Sequence, residues 1–251
     1  MSINIIRKED QARGQFNGGE ILERKPIGFP QDGGKLKPYS NLVYWAHAWT
    51  EDKESTIGLH PHKGFEIMSF VIRGGVEHFD TGLGRWQPLD AGDAQMIRAG
   101  NGISHSERLK PHSAIFQIWA DPNLERSLSQ PASYADFPAT SLHVEESNGA
   151  RITHFAGNGG PMMPESEGLS IHRISWAPGN HDWAMSSGSV VSAFLISGGL
   201  NIREQKMEPG DFVIIQDENE AVVTASSPAE IFVIQSPVRP GYKTYAEMEW
   251  P

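Results

Sequence analysis

Phe70-Val-Ile-Arg-Gly-Gly75 and Phe194-Leu-Ile-Ser-Gly-Gly199 repeat one short pattern, an apolar run suited to a strand closed by a glycine pair suited to a turn. Working outward, Ala91-Gly-Asp93 is echoed by Pro209-Gly-Asp211, and Phe116-Gln-Ile-Trp119 by Phe232-Val-Ile-Gln235. The matches keep the same order in both halves, which is the signature of an internal repeat rather than of chance. Strand-like segments surround the first copy: Asn41 to Trp49, Phe65 to Ile72, Gly75 to Phe79, Ala94 to Ile97 and Ala114 to Trp119. Short strands at even spacing predict an all-β fold of two related β-barrels in tandem.

Composition agrees. The chain has 251 residues, with 26 Gly and 17 Pro spread between β-branched and aromatic runs, as expected of many strands and many turns. From Asp121 to about Thr140 the residues turn to Ser, Pro, Gln and Ala, the composition of an irregular connector. The expected division is therefore 1–121 for an N-terminal metal-binding barrel and 122–251 for the connector and a C-terminal barrel without metal ligands.

Charge and residue usage exclude several function classes. Against 31 Asp and Glu stand 21 Lys and Arg, a net charge of -10 that disfavours nucleic-acid backbones. There is no Cys, so disulfides, thiolate metal sites and thiol nucleophiles are ruled out, and any metal must be held by His and carboxylates. Met1 to Arg7 lacks the apolar core of a secretion signal and no apolar stretch is long enough to span a bilayer, so a cytoplasmic protein is expected.

His60-Pro-His62 places two imidazoles at i and i+2, on one face of an extended strand. His105-Ser-Glu107 repeats the spacing with one imidazole and one carboxylate. Together they supply three nitrogens and one oxygen to one ion, leaving coordination positions open to water or substrate, as a reactive centre requires. The second half provides an internal control. Aligning Gly198 on Gly74 puts Ala184 and Ser186 where His60 and His62 stand, and aligning Gly210 on Gly92 puts Val223 and Ala225 opposite His105 and Glu107. None of these can ligate a metal, so one ion per chain is expected, in the first barrel.

The stretches Gly58-Leu-His-Pro-His-Lys-Gly-Phe-Glu-Ile67, Gly74-Gly-Val-Glu-His78, Ala91-Gly-Asp93, Ala99-Gly-Asn-Gly-Ile-Ser-His-Ser-Glu107 and Gln117-Ile-Trp119 closely resemble the pirin family of bicupins, which includes pirin-like quercetin 2,3-dioxygenases. The resemblance implies two cupin-type barrels (double-stranded β-helices), with His60, His62, His105 and Glu107 as metal ligands. It also implies Fe(II) as the ion, with Mn, Ni, Cu, Co and Zn accepted by such sites. The activity implied is flavonol cleavage with O2, Glu107 serving as both ligand and base. The family also suggests an alternative, a non-enzymatic metal- or redox-sensing regulator that binds a transcription factor or metabolic enzyme. One departure lies at Gly19-Glu-Ile-Leu-Glu-Arg24, where some quercetinase-type members carry Gly-Trp-Leu-Asp.

Other residues are expected to pack. His78, Arg73, Met96 and Phe116 lie on or beside the strands that should flank the metal. His47, His112, His143, His154, His172 and His181 have no partner at ligand spacing and are read as structural or exposed. Trp45, Trp49, Trp176 and Trp183 are expected to fill the barrels. Closed barrels of this size are compatible with a monomer.

Overall fold

The computed structural model describes residues 2–147 and 149–248. Its chain forms two compact units, each built from one seven-stranded and one four-stranded antiparallel sheet. In the unit that carries His60, the four-stranded sheet runs in the order Ser55–His62, Ile103–Leu109, Gly75–Asp80, Trp86–Asp90. Its seven-stranded sheet runs Ser133–Phe137, Ala94–Arg98, Glu66–Arg73, Ala114–Ala120, Leu42–Thr50, Ile21–Ile27, Ala12–Phe16. Val76, Leu89 and Leu109 from the smaller sheet meet Ile21, Ala48, Val71 and Ile115 from the larger in one buried cluster. Each such side chain contributes roughly 1.5–3 kcal/mol by leaving water.

The internal repeat is reproduced bond for bond. Phe70 lies opposite Phe116 across neighbouring strands, and Phe194 opposite Phe232. The amide of Gly92 donates to the Val71 carbonyl and that of Gly210 to the Leu195 carbonyl, both at 2.8 Å. Gly74 and Gly198 adopt φ of 72° and 84°, where an L side chain is strained. A Cβ on Gly74 would also stand 2.8 Å from Ser113 Cα, and one on Gly198 2.6 Å from Ala229 Cα, so both turns demand glycine.

Two parts of the chain depart from the expected layout. The connector is not irregular throughout: Leu124–Ser127 is a helical turn, and Ser133–Phe137 pairs antiparallel with Ala94–Arg98 as an edge strand. An edge strand draws its stability from one backbone ladder and needs no continuous apolar run, which is why composition concealed it. At the other end, Ser2–Ile6 pairs with Phe212–Gln216 and so joins the sheet of the second barrel. The units comprise Met1–Asp10, Leu142–Met163 and Glu167–Pro240 on one side, and Gln11–Ser141, Pro164–Ser166 and Gly241–Pro251 on the other. Each unit thus draws residues from both sides of the 121/122 division.

Candidate metal centre

The His-Pro-His segment ends Ser55–His62, the edge strand of its sheet, where a proline without an amide is tolerated. Across the ladder His60 faces His105 and His62 faces Ile103, whereas Glu107 faces Ile57, so the register shifts between His105 and Glu107. Gly58 and Leu59 form the resulting bulge. Leu59 is left exposed, and the Gly58 carbonyl accepts a hydrogen bond from His60 Nδ1 at 2.7 Å. That bond selects the tautomer in which the Nε2 lone pair of His60 is free.

The three rings converge. Their centroids lie 4.4 to 4.8 Å apart, and one ring nitrogen from each of His60, His62 and His105 lies within 4.8 Å of the others. The Nε2 atoms of His62 and His105 are only 2.9 Å apart. Burial, followed by the neighbouring imidazoles, pushes both rings down to about 3, so both are neutral at physiological pH. Bonds of roughly 2.0–2.1 Å from imidazole to a divalent ion place adjacent ligand nitrogens about 3 Å apart, so this donor set fits such an ion.

Glu107, fully buried, lies two residues from His105 and lines the same cavity as His60 and His62. Its Oε1 accepts from Ser69 Oγ at 3.0 Å and Gln95 Nε2 at 3.4 Å, and its Oε2 accepts from Gln117 Nε2 at 2.6 Å. Gln117 is itself held by Trp119 Nε1 at 3.1 Å, and Trp119 meets the His62 ring edge-on at 4.8 Å. The carboxylate and its neighbours form one connected polar network. The converging nitrogens belong to His60, His62 and His105; Glu107 sits beside them in that network.

Behind His105 stands His78, also fully buried, with its ring 5.7 Å away. His78 Nε2 bonds Asp80 Oδ2 at 2.8 Å and the ring stacks on Tyr134 at 4.5 Å. Met96 and Phe116 are core residues, and Arg73 donates to the His112 carbonyl at 2.8 Å, so these three pack as expected.

The cavity has a volume of about 480 Å³, within the range of small-molecule sites. Its lining also includes Phe16, Phe29, Tyr44 and Trp119, together with Glu23 and Lys25. Tyr44 donates to Glu23 Oε1 at 3.2 Å, and Lys25 Nζ lies 3.7 Å from Glu23 Oε2. Burial raises the Glu23 carboxyl, although Lys25 and Tyr44 oppose the shift. Sequence reasoning passed over Glu23 and Tyr44. The one signal was spacing: Glu23 stands at i+2 from Ile21, on the face of the strand that Ile21 buries.

Residues 25–120, a span that includes all four candidate ligands, match the family profile described as Pirin. The chain carries a pirin-family domain. A quercetin 2,3-dioxygenase of Escherichia coli (strain K12) is 28% identical to this chain over 189 residues, covering 72% of it and 76% of the relative. Among solved structures, bacterial pirin YhhW from E. coli in complex with nickel(II) superposes with a TM-score of 0.77 at 21% identity, covering 94% of this chain and 99% of that one. A quercetin 2,3-dioxygenase from Acinetobacter baumannii superposes with a TM-score of 0.77 at 18% identity, covering 96% and 89%. The chain is all-β, and its two barrels are those of a bicupin.

The control positions in the second barrel need correcting. There Ile202 faces Val223 as His78 faces Glu107, and Ala221 faces Trp183 as His105 faces His60. The residues equivalent to His60, His62, His105 and Glu107 are therefore Trp183, Met185, Ala221 and Val223, not Ala184, Ser186, Val223 and Ala225. The second barrel has one residue more between Trp183 and Gly198 than the first has between His60 and Gly74, and its loop before Ala221 is two residues shorter, so a gapless alignment slipped by one and by two residues. All four equivalents are buried in one apolar cluster.

Proposed function

We propose that the chain binds one divalent ion, Fe(II), through His60, His62, His105 and Glu107, and uses it to cleave flavonols such as quercetin with O2. The observation that carries this reading is the convergence of three imidazoles beside a buried carboxylate, at a cavity lined in part by Phe16, Phe29, Tyr44 and Trp119. The relatives named quercetin 2,3-dioxygenase support the substrate class. A cavity of this size beside the histidines favours a small-molecule substrate over a purely regulatory role.

When bound, the ion would act as a Lewis acid, lowering the pKa of a coordinated flavonol hydroxyl and offering a position to O2. The remaining work belongs to the chain. Phe16, Phe29 and Trp119 enclose the planar ring system and keep water from it. Ser69, Gln95 and Gln117 aim the Glu107 carboxylate, which takes up the hydroxyl proton. Tyr44, whose phenol burial holds protonated, offers a hydrogen bond at the cavity wall.

The test is direct. Protein loaded with iron under anaerobic conditions and mixed with quercetin in air should consume O2 and bleach the flavonol band. Loaded protein that does neither would reject this activity.

A further inference from the structure

The second barrel lacks ligands at the positions repeated from the first, yet it gathers histidines elsewhere. Its seven-stranded sheet ends in the order Ser170–Trp176, Ala150–Ala156, His143–Ser147, the last being the edge. Across these strands His143 lies directly opposite His154, and His154 directly opposite His172. Glu145 follows His143 at i+2, on the same face of the edge strand. An i, i+2 pair faced by a third ligand on the neighbouring strand is the arrangement of His60, His62 and His105.

We propose that His143, Glu145 and His154 form a second site for a divalent transition-metal ion on this sheet edge. One ligand atom from each lies within 4.8 Å of the others. His154 is only 3% exposed, and its Nε2 has no hydrogen-bond partner among the described residues, although Glu145 Oε2 stands 3.5 Å away. An unpaired imidazole nitrogen buried beside a carboxylate is costly unless a cation joins them. The other ring nitrogen, Nδ1, is 3.1 Å from Nδ1 of buried His172. With His154 donating across that contact, its Nε2 lone pair points toward Glu145 and His143, the tautomer a metal ligand needs.

His172 thus positions a ligand without being one. Two imidazoles and one carboxylate suit Zn(II), Ni(II) or Cu(II), not Mg(II) or Ca(II), which prefer oxygen ligands throughout. His143 and Glu145 are exposed, so the ion would keep water in its remaining positions and would pin the edge strand to its neighbour.

The test counts Zn(II) bound to untagged, metal-stripped full-length protein after equilibrium dialysis. The wild type should hold two equivalents, His62→Ala one, His143→Ala/Glu145→Ala one, and the triple variant none. Because His143 and Glu145 are exposed, their substitution leaves the core intact, which far-UV circular dichroism checks. The His62→Ala background isolates the second site, so the two sites succeed or fail separately. Absence of Zn(II) from His62→Ala, or an equivalent that survives in the triple variant, would overturn the proposal.

Discussion

His60 shows how one side chain is prepared for a task by its neighbours: the bulge at Gly58 turns a carbonyl onto Nδ1 and so frees Nε2. The same logic extends outward to Gln117, which clamps Glu107 at 2.6 Å. Replacing Gln117 with Leu removes that clamp and should weaken metal binding by roughly 10- to 100-fold, measured by competition with a chromophoric chelator. Unchanged affinity would mean that the orientation of Glu107 is immaterial. Protonation gives a second expectation at this scale. His47 is held down at about 4, and His62 and His105 at about 3, each chiefly by burial. A histidine whose folded pKa is depressed stabilises the fold fully above the unfolded value of about 6.5 and loses that contribution as pH falls toward the folded value. Glu23 and Asp121, raised by burial, act with the opposite sign, but the depressed histidines outnumber them. The melting temperature of metal-free protein should therefore be level above about pH 7 and fall between pH 6.5 and 4. A rise on acidification through that interval would contradict the assignment of neutral buried histidines.

At the scale of elements, strands with apolar runs were legible and strands without them were not. Leu42–Thr50, Glu66–Arg73, Gly75–Asp80, Ala94–Arg98 and Ala114–Ala120 fall where the sequence predicts them, because each carries β-branched, aromatic or other apolar residues bounded by turn residues. Ser133–Phe137 and Ser2–Ile6 were missed, since they add to sheet edges through backbone hydrogen bonds that any sequence can make. The site histidines were legible because strand periodicity places i and i+2 together. Neither the bulge that spaces His60 from Ile57 nor the true equivalents in the second barrel were, because a residue gained or lost in a connection leaves no compositional mark. Glycine turns, by contrast, carry a firm expectation. Gly74→Ala and Gly198→Ala each force an L residue into positive φ against neighbouring backbone, and each should cost more than about 1 kcal/mol in denaturant unfolding. Neutral substitution at both would show that these turns relax freely.

For the whole molecule, duplication followed by divergence explains why one fold contains two barrels of different content. The first keeps an accessible cavity beside its histidines, whereas Trp183, Met185, Ala221 and Val223 turn the equivalent space of the second into core. Among the described residues no helix is long and apolar enough to cross a membrane. Because an ion bound only by the folded state stabilises it by mass action, saturating metal at about 100 times its dissociation constant should add roughly 2.7 kcal/mol, seen as a raised melting temperature that a chelator reverses. The central claim, an ion held by the first barrel through the His-Pro-His strand and its partner, has a more direct test. Elemental analysis of protein in a His143→Ala/Glu145→Ala background should find one equivalent of metal per chain, and adding His62→Ala or Glu107→Ala should remove most of it. Full metal content in both of those variants would contradict the account.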